Sequence, residues 1–219
     1  MKVISNTAIS LDGRINTVEE QFTLLGSVVD HQKMEQIRRM ADAVLVGGQT
    51  FRNWPYPSLS DQASNDHPIW NVIVSRSADI PLLPQFVEET RARKLLLLHK
   101  QTTLPSFPSS IEVEIYDGPL PVPPVAWMLD CLRQRGVQTL LVEAGGELLV
   151  QFLAADALDE LYVTLCPLVI GGRTTPGLMG GTGFSQAELR RLTLLSSEVV
   201  GSEIFLHYSV NRAMKMEKN

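Results

Sequence analysis

The chain has 219 residues and a formal net charge of −5 at pH 7, and 44% of its residues are hydrophobic against 20% charged. This composition is typical of a globular protein, which excludes extended disorder, and the acidic balance excludes an overall electrostatic footprint for nucleic acid or an anionic membrane surface. No apolar run is long enough to span a bilayer, no signal-peptide core is present, and two cysteines make no disulfide framework, so we expect a cytoplasmic protein. The length suits one domain over residues 1–219, with its core at about 2–210.

Strand and helix patterns alternate along the chain. Ser27 and Asp30 form a capping-box-like helix start, and Met34, Ile37 and Met40 then recur at helical spacing and are expected in the core. Further helices are predicted near Thr50, after Pro123 and Pro124, and near Leu148. Strands are predicted at residues 2–10, 43–48, 69–75, 94–99, 111–116, 160–167, 192–199 and 203–210, and residues 139–146 are predicted as a strand followed by a glycine turn. The last two strands have no long helix between them and suggest an antiparallel pair, so the pattern predicts an α/β fold with a mixed sheet and helices on both faces.

Two predicted strands end in a glycine pair that precedes a helix. Gly47 and Gly48, followed by Thr50, close one strand, and Gly145 and Gly146 close another. Such turns let backbone approach a ligand closely, and a helix N-terminus beside them suits a pyrophosphate. Two turns of this kind predict one cofactor crevice, although each glycine pair alone is explained equally by a tight turn. Neither turn is GxGxxG, and no P-loop motif occurs.

Four polar residues lie at or just after predicted strand ends. Ser75 and Arg76 combine a hydroxyl with a guanidinium, a pair that can hold a phosphate monoester or can simply face solvent. Glu143 follows an apolar strand, where a carboxylate must be paired or face a crevice. Asp12 precedes a glycine and is explained by a plain turn as well as by a ligand contact. The four histidines are scattered without metal-binding spacing, so we expect no metal.

Five blocks in order, AISLDGRI, ADAVLVGGQTF, VIVSRSADIP, LLVEAGGELLVQFL and LDELYVTLCPLVIGG, resemble the reductase domain of bacterial riboflavin-biosynthesis deaminase/reductases. The resemblance runs from about residue 3 to residue 210 and extends to the wider dihydrofolate-reductase-like superfamily. It implies a three-layer αβα fold whose mixed, mainly parallel sheet has eight or nine strands. It also implies NADPH as the cofactor, a homodimer, and no zinc deaminase domain within this chain.

The resemblance also implies roles for individual residues. Asp12 and Glu143 are the catalytic candidates, and Glu143 with Asn53 would meet the pyrimidine substrate. Ser75 and Arg76 would hold the adenosine 2′-phosphate, and Ala8 would line the nicotinamide. The other cofactor contacts would be Gly47, Gly48, Thr50, Gly145, Gly146, Glu147 and Leu148.

Two segments depart from the family pattern. In TFRNWPYPSLSD, Asn53 or Trp54 stands where an aspartate is expected, and the usual phosphate-binding arginine does not follow. The Ser-x-Trp expected after the first strand is replaced near EEQFTLLG.

The activity that the resemblance implies is NADPH-dependent reduction of the ribose of a phosphoribosylamino-pyrimidine. The alternatives are reduction of another small molecule, such as a dihydrofolate or dihydropterin, and a non-catalytic nucleotide-binding protein.

Overall fold

The computed structural model describes residues 1–19, 24–101, 103–119 and 123–211. Its strands are β1 (Lys2–Ser10), β2 (Ala43–Gly47), β3 (Ile69–Ser75), β4 (Ala92–His99), β5 (Ile111–Tyr116), β6 (Thr139–Val142), β7 (Glu160–Cys166), β8 (Leu192–Val200) and β9 (Glu203–Val210). Its α-helices are α1 (Val28–Arg38), α2 (Gly48–Asn53), α3 (Pro84–Val87), α4 (Val125–Gln134) and α5 (Gly146–Ala154). None of the helices in the described ranges combines the length and apolar composition needed to cross a membrane.

All nine strands form one sheet in the order β5-β4-β3-β2-β6-β1-β7-β9-β8. The strands from β5 to β7 in this order are parallel, and β9 pairs antiparallel with both β7 and β8. The sheet is therefore mixed and mainly parallel, with the antiparallel C-terminal pair at one end. This confirms the fold class predicted from the sequence.

Both faces of the parallel part of the sheet are buried under helices. Successive side chains of a strand point to opposite faces, so Val72 and Leu95 pack with α4 and α5, while Ile73 and Leu96 pack with α2 and α3. Helix α1 covers this second face through Ile37. The apolar runs in the sequence reflect strands that are covered on both sides, which is the layer arrangement of a three-layer αβα fold.

The chain reverses its direction across the sheet between the adjacent strands β2 and β6. From β2 it passes through α2 to β3, towards β5, whereas from β6 it passes through α5 to β7, on the other side of β1. Ligands of open α/β sheets bind outside the carboxyl ends of the strands at such a switch point. The fold thus brings the two glycine turns, which follow β2 and β6, to one place.

Local predictions differ from the structure at three points. Gly47, not Thr50, is the N-cap of α2, so Thr50 lies inside that helix. Ser27 caps α1 through its hydroxyl, but its own N–H donates to Glu203 at 2.7 Å, because β9 supplies a carboxylate that competes with the helix's first turn. Met40 lies beyond the end of α1 and is 48% exposed, so its prediction as a core residue is wrong.

Candidate active site

The strand β6 ends inside the sheet and leaves a crevice between its neighbours. Val142, its last residue, pairs with Ser5 of β1 and Leu45 of β2, and both of those strands continue beyond that level. Two residues further along β1, the Thr7 Oγ1 is buried and has no hydrogen-bond partner among the described residues. A buried hydroxyl without a partner is uncommon in a folded protein and marks a place where a ligand can bind.

Glu143, directly after β6, is held by Arg38 at the end of α1. The Arg38 Nε donates to Glu143 Oε1 at 2.8 Å and Nη2 donates to Oε2 at 2.6 Å. The two side chains are only 16% and 13% exposed. Burial by itself would lower the pKa of the Arg38 guanidinium, but the Glu143 carboxylate outweighs this and raises that pKa above its usual value. The guanidinium therefore stays protonated and makes two parallel hydrogen bonds to the carboxyl group of Glu143.

Arg38 is a site residue that the sequence analysis missed. An arginine in the last turn of a helix is explained by the helix dipole alone, so nothing local distinguishes it. Only the packing of α1 against β6, across 105 residues of sequence, brings the guanidinium to Glu143.

The first glycine turn lies directly beside the second. A Cβ added to Gly47 would lie 3.9 Å from Leu148 Cδ2 and 4.0 Å from Thr50 Oγ1. These three residues, all predicted to contact the cofactor, are therefore neighbours. Gly48 has a packing role, because a Cβ there would lie 2.6 Å from the Ser75 Oγ. Its lack of a side chain lets α2 approach β3.

In the second turn, the protein's own backbone fills the space at Gly146. A Cβ there would lie 2.5 Å from Gly177 O and 2.7 Å from Gly180 N. The missing side chain thus accommodates the segment 177–180, which corrects the expectation that it accommodates a ligand. Glu147 binds the same segment, since its Oε1 accepts the Gly181 N–H at 2.9 Å.

Gly145 remains accessible to a ligand. A Cβ added to it would have only Ile15 Cδ1 within 4 Å, at 3.8 Å. No described side chain caps the N-terminus of α5, which begins at Gly146. The first amides of a helix lack intrahelical acceptors and carry the positive end of its dipole. The turn therefore keeps an open backbone and unsatisfied donors that suit a phosphate group.

Asp12 connects the end of β1 to the segment that follows β7. Its carboxylate accepts the Ser10 hydroxyl at 2.6 Å and the backbone N–H groups of Ile170 and Gly171 at 3.1 and 2.7 Å. The hydrogen bond from Ser10, followed by that from Ile170, lowers the pKa of Asp12 to about 2. Such a carboxylate has no proton to give near neutral pH, which argues against Asp12 as a proton donor. Its contacts are those of a residue that shapes the loop.

The remaining predicted residues lie along the same edge of the sheet. Ala8 is in β1, on the face of the sheet that α1 covers. Glu143 points to the same face. Ser75 is buried at the end of β3, whereas Arg76 is exposed. Asn53 ends α2 and its Oδ1 accepts Gln49 Nε2 at 3.2 Å.

Part of the departing segment EEQFTLLG, residues 20–23, lies outside the described residues, so its expected contribution is not located. Within the described ranges, no group of three or more His, Cys, Asp or Glu side chains has an arrangement that could hold a metal ion.

Comparisons with known proteins agree on one family and fold. The family model described as the RibD C-terminal domain matches residues 1–206. The chain is 28% identical over 198 residues to riboflavin biosynthesis protein RibD of Synechocystis sp., covering 90% of this chain and 53% of that protein. It is 27% identical over 215 residues to 2,5-diamino-6-ribosylamino-4(3H)-pyrimidinone 5′-phosphate reductase of Methanothermobacter thermautotrophicus, covering 95% of this chain and 97% of that protein. The chain thus spans about half of the first relative and nearly all of the second.

Solved structures show the same fold at low sequence identity. A pyrimidine reductase-like protein of Corynebacterium diphtheriae superimposes with a TM-score of 0.78 at 20% identity, over 96% of this chain and 92% of that one. RibD of Acinetobacter baumannii superimposes with a TM-score of 0.77 at 17% identity, over 96% of this chain and 58% of that one.

Proposed function

The chain belongs to the RibD C-terminal domain family, and from this premise we propose that it is a pyrimidine reductase of riboflavin biosynthesis. It uses NADPH to reduce the ribose of 5-amino-6-(5-phosphoribosylamino)uracil, or of the 2,5-diamino-pyrimidinone counterpart, to the ribityl form. We propose further that it acts as a single reductase domain in the cytoplasm, where the two buried cysteines, Cys131 and Cys166, stay reduced.

The observation that carries this proposal is the doubly hydrogen-bonded Arg38–Glu143 pair at the switch point between β2 and β6. Arg38 takes one lone pair of each carboxylate oxygen, and a carboxylate has about four such sites. Glu143 can therefore accept further hydrogen bonds from N–H groups of a pyrimidine. Because Arg38 fixes the carboxylate plane, it also fixes the direction from which those N–H groups approach.

The crevice has the features that a reduced dinucleotide needs. Gly145 and the uncapped start of α5 would face its pyrophosphate, and Ser75 and Arg76 its 2′-phosphate. The small Ala8 would leave room for the nicotinamide on the same face as Glu143. When bound, the nicotinamide supplies the hydride. The protein's contribution is to hold the acceptor carbon against that ring and to orient the pyrimidine.

The substrate is tested by turnover. Loss of reduced-nicotinamide absorbance with 5-amino-6-(5-phosphoribosylamino)uracil, and none with dihydrofolate, is expected. Turnover with dihydrofolate alone would reject the proposal. It would instead support reduction of another small molecule, which is the alternative suggested by the altered segment around Asn53 and Trp54. Dinucleotide binding without turnover on either pyrimidine or pterin would favour a non-catalytic protein.

We also propose that the protein is a homodimer. The strands β8 and β9 lie at one end of the sheet, and Leu192, Leu194 and Val199 are 40%, 50% and 68% exposed. Their β9 partners are Val210, Tyr208 and Ile204, so the three side chains share one face, the face of α4 and α5. A second copy related by a two-fold axis would cover this apolar face with the same face of its own.

A further inference from the structure

A second arginine, Arg52 of α2, contacts the loop that follows β3. Arg52 Nη1 donates to the carbonyl oxygen of Asp79 at 3.1 Å, and its Nη2 donates to Gln49 Oε1 at 3.3 Å. The same Nη1 is 3.4 Å from a Cβ added to Gly48, and the Ser75 Oγ is 2.6 Å from that point. Both groups therefore lie around Gly48, at the carboxyl end of β3.

Two hydroxyl groups of this loop keep their protons available. Ser75 Oγ accepts the Ser77 N–H, and Ser77 Oγ accepts the Asp79 N–H, both at 3.2 Å. A serine hydroxyl has one donor and two acceptor sites. Because each hydroxyl here acts as an acceptor, its O–H can still donate to an anion, and Ser75 does so from a buried position.

The local charge is positive. Neither Arg52 nor Arg76 takes part in any ion pair between the residues that the structure describes. Asp79 is the one carboxylate in the loop 76–83, and it lines a neighbouring cavity. Arg52 and the Ser75 hydroxyl thus lie near the carboxyl end of β3, and Arg76 follows Ser75 directly in the chain. Guanidinium and hydroxyl donors are the groups that bind a phosphate monoester.

A cavity of about 520 Å³ adjoins this cluster, between the loops that follow β3 and β4. Ile80, Leu82 and Phe107 supply an apolar lining, and Asp79 and Gln101 supply polar groups. The cavity is an open depression at the surface, and Asp79, whose carbonyl accepts from Arg52, forms part of its lining. In the proposal below, an adenosine would lie against this depression with its 2′-phosphate towards Arg52.

We infer that Arg52, together with Arg76, binds the 2′-phosphate of the dinucleotide and so sets the preference for NADPH over NADH. This inference rests on the proposed function. It assigns a role to Arg52, which the sequence analysis did not identify as a candidate site residue. Arg52 is preorganised for this role, because the Asp79 carbonyl and Gln49 already hold its guanidinium in place.

The test is the Arg52→Gln variant, which removes the charge but keeps an amide donor for the Asp79 carbonyl. Arg93→Gln is the matched control, since Arg93 lies on β4 and stacks on Trp70 with its guanidinium 5.4 Å from the ring centroid. Calorimetry measures the Kd of NADPH, NADH, adenosine 2′,5′-bisphosphate and AMP. We expect Arg52→Gln to weaken NADPH and the bisphosphate by about tenfold to a hundredfold, with NADH and AMP nearly unchanged. The control should change none of the four.

Several outcomes would overturn the inference. Equal losses of affinity for NADPH and NADH would show that Arg52 only stabilises the loop. Unchanged NADPH affinity with a raised KM for the phosphoribosylamino-pyrimidine would assign Arg52 to the substrate phosphate instead. Arg52→Lys, which keeps the charge, should recover part of the NADPH affinity, and failure to do so in a folded variant would also count against it. A wild-type protein that bound neither dinucleotide would overturn the proposed function itself, whatever the variants did.

Discussion

At the scale of single residues, the Arg38–Glu143 pair combines a structural and a functional role. Its two hydrogen bonds are short, and both side chains are largely removed from water. Removing one member of a buried ion pair leaves the other charge uncompensated, and this costs more than the pair itself contributes. The pair must therefore be kept intact for stability even before any substrate binds.

We predict that Glu143→Gln destabilises the protein by about 1–3 kcal/mol, because Arg38 loses its carboxylate partner in a mostly buried setting. Urea denaturation measures this loss. Turnover should fall as well, because a neutral amide cannot make the same hydrogen bonds to the pyrimidine. Glu88→Gln, at an exposed carboxylate directly after α3, is the control and should leave both quantities unchanged. Wild-type stability together with wild-type kcat/KM in Glu143→Gln would contradict both roles.

The carboxylate of Asp12 is expected to make the stability of the fold depend on pH in the acid range. Its folded-state pKa of about 2 lies below the ordinary value of 3.8, so its carboxylate stabilises the fold above pH 3.8. That contribution is lost as the pH falls from 3.8 towards 2. Asp12→Asn should therefore lower Tm at neutral pH, and the difference from wild type should shrink over this acid range. A difference in Tm that stayed constant down to pH 2 would show that the carboxylate charge is not what stabilises the loop.

At the scale of elements, the two glycines of the turn after β6 have different reasons to be glycine. Gly146 meets the backbone of the segment 177–180, which has no flexible side chain to move aside, whereas Gly145 faces open space. The turn thus joins two functions. One glycine lets α5 pack against a loop, and the other leaves backbone accessible.

We predict that Gly146→Ala destabilises the protein by about 1–3 kcal/mol, the usual cost of overpacking a filled site. Gly145→Ala is the matched variant. Its φ of −64° and ψ of 165° suit alanine, so its stability should stay close to wild type, while its methyl group should weaken NADPH binding. Thermal unfolding with and without NADPH separates the two effects. Equal destabilisation by both substitutions would mean that the segment 177–180 does not pack on Gly146 as described.

At the scale of the whole molecule, the two faces of the sheet are covered unequally at β8 and β9. On one face, the N-cap of α1, Ser27, donates to Glu203 of β9, and Lys33 of α1 pairs with Glu198 of β8. On the face that α4 and α5 cover elsewhere, Leu192, Leu194 and Val199 leave apolar surface. A contiguous apolar face on a soluble protein usually marks an interface. The proposed homodimer follows from this imbalance.

We predict that Leu194→Asp converts the proposed dimer to a monomer, because each copy would bring a charge into an apolar contact. Light scattering on a sizing column measures the mass. Ser196→Asp is the control, since Ser196 pairs with His207 and lies on the opposite face of β8. A monomeric wild-type protein at micromolar concentration would reject the interface, and so would a Leu194→Asp variant that remained dimeric.

The local patterns of this sequence determined its elements. Apolar and β-branched runs bounded by glycine, proline and polar residues identified the nine strands. The runs are most continuous in β3 and β4, because a strand buried on both faces has few other compositions available. The order of quoted blocks identified the family, which the family model confirms over residues 1–206. The two glycine turns were also visible, since glycine after a strand is a local signal.

Only the tertiary structure decided what those residues contact. The position of β6 between β2 and β1 creates the switch point, and the partner of Glu143 lies 105 residues away. The space at Gly146 is filled by a segment more than thirty residues later, and Arg52 reaches the loop after β3 through a backbone carbonyl. Such contacts join residues distant in sequence, and neither residue carries a local signature of the other. They exist only once the sheet order and helix packing bring the two side chains together.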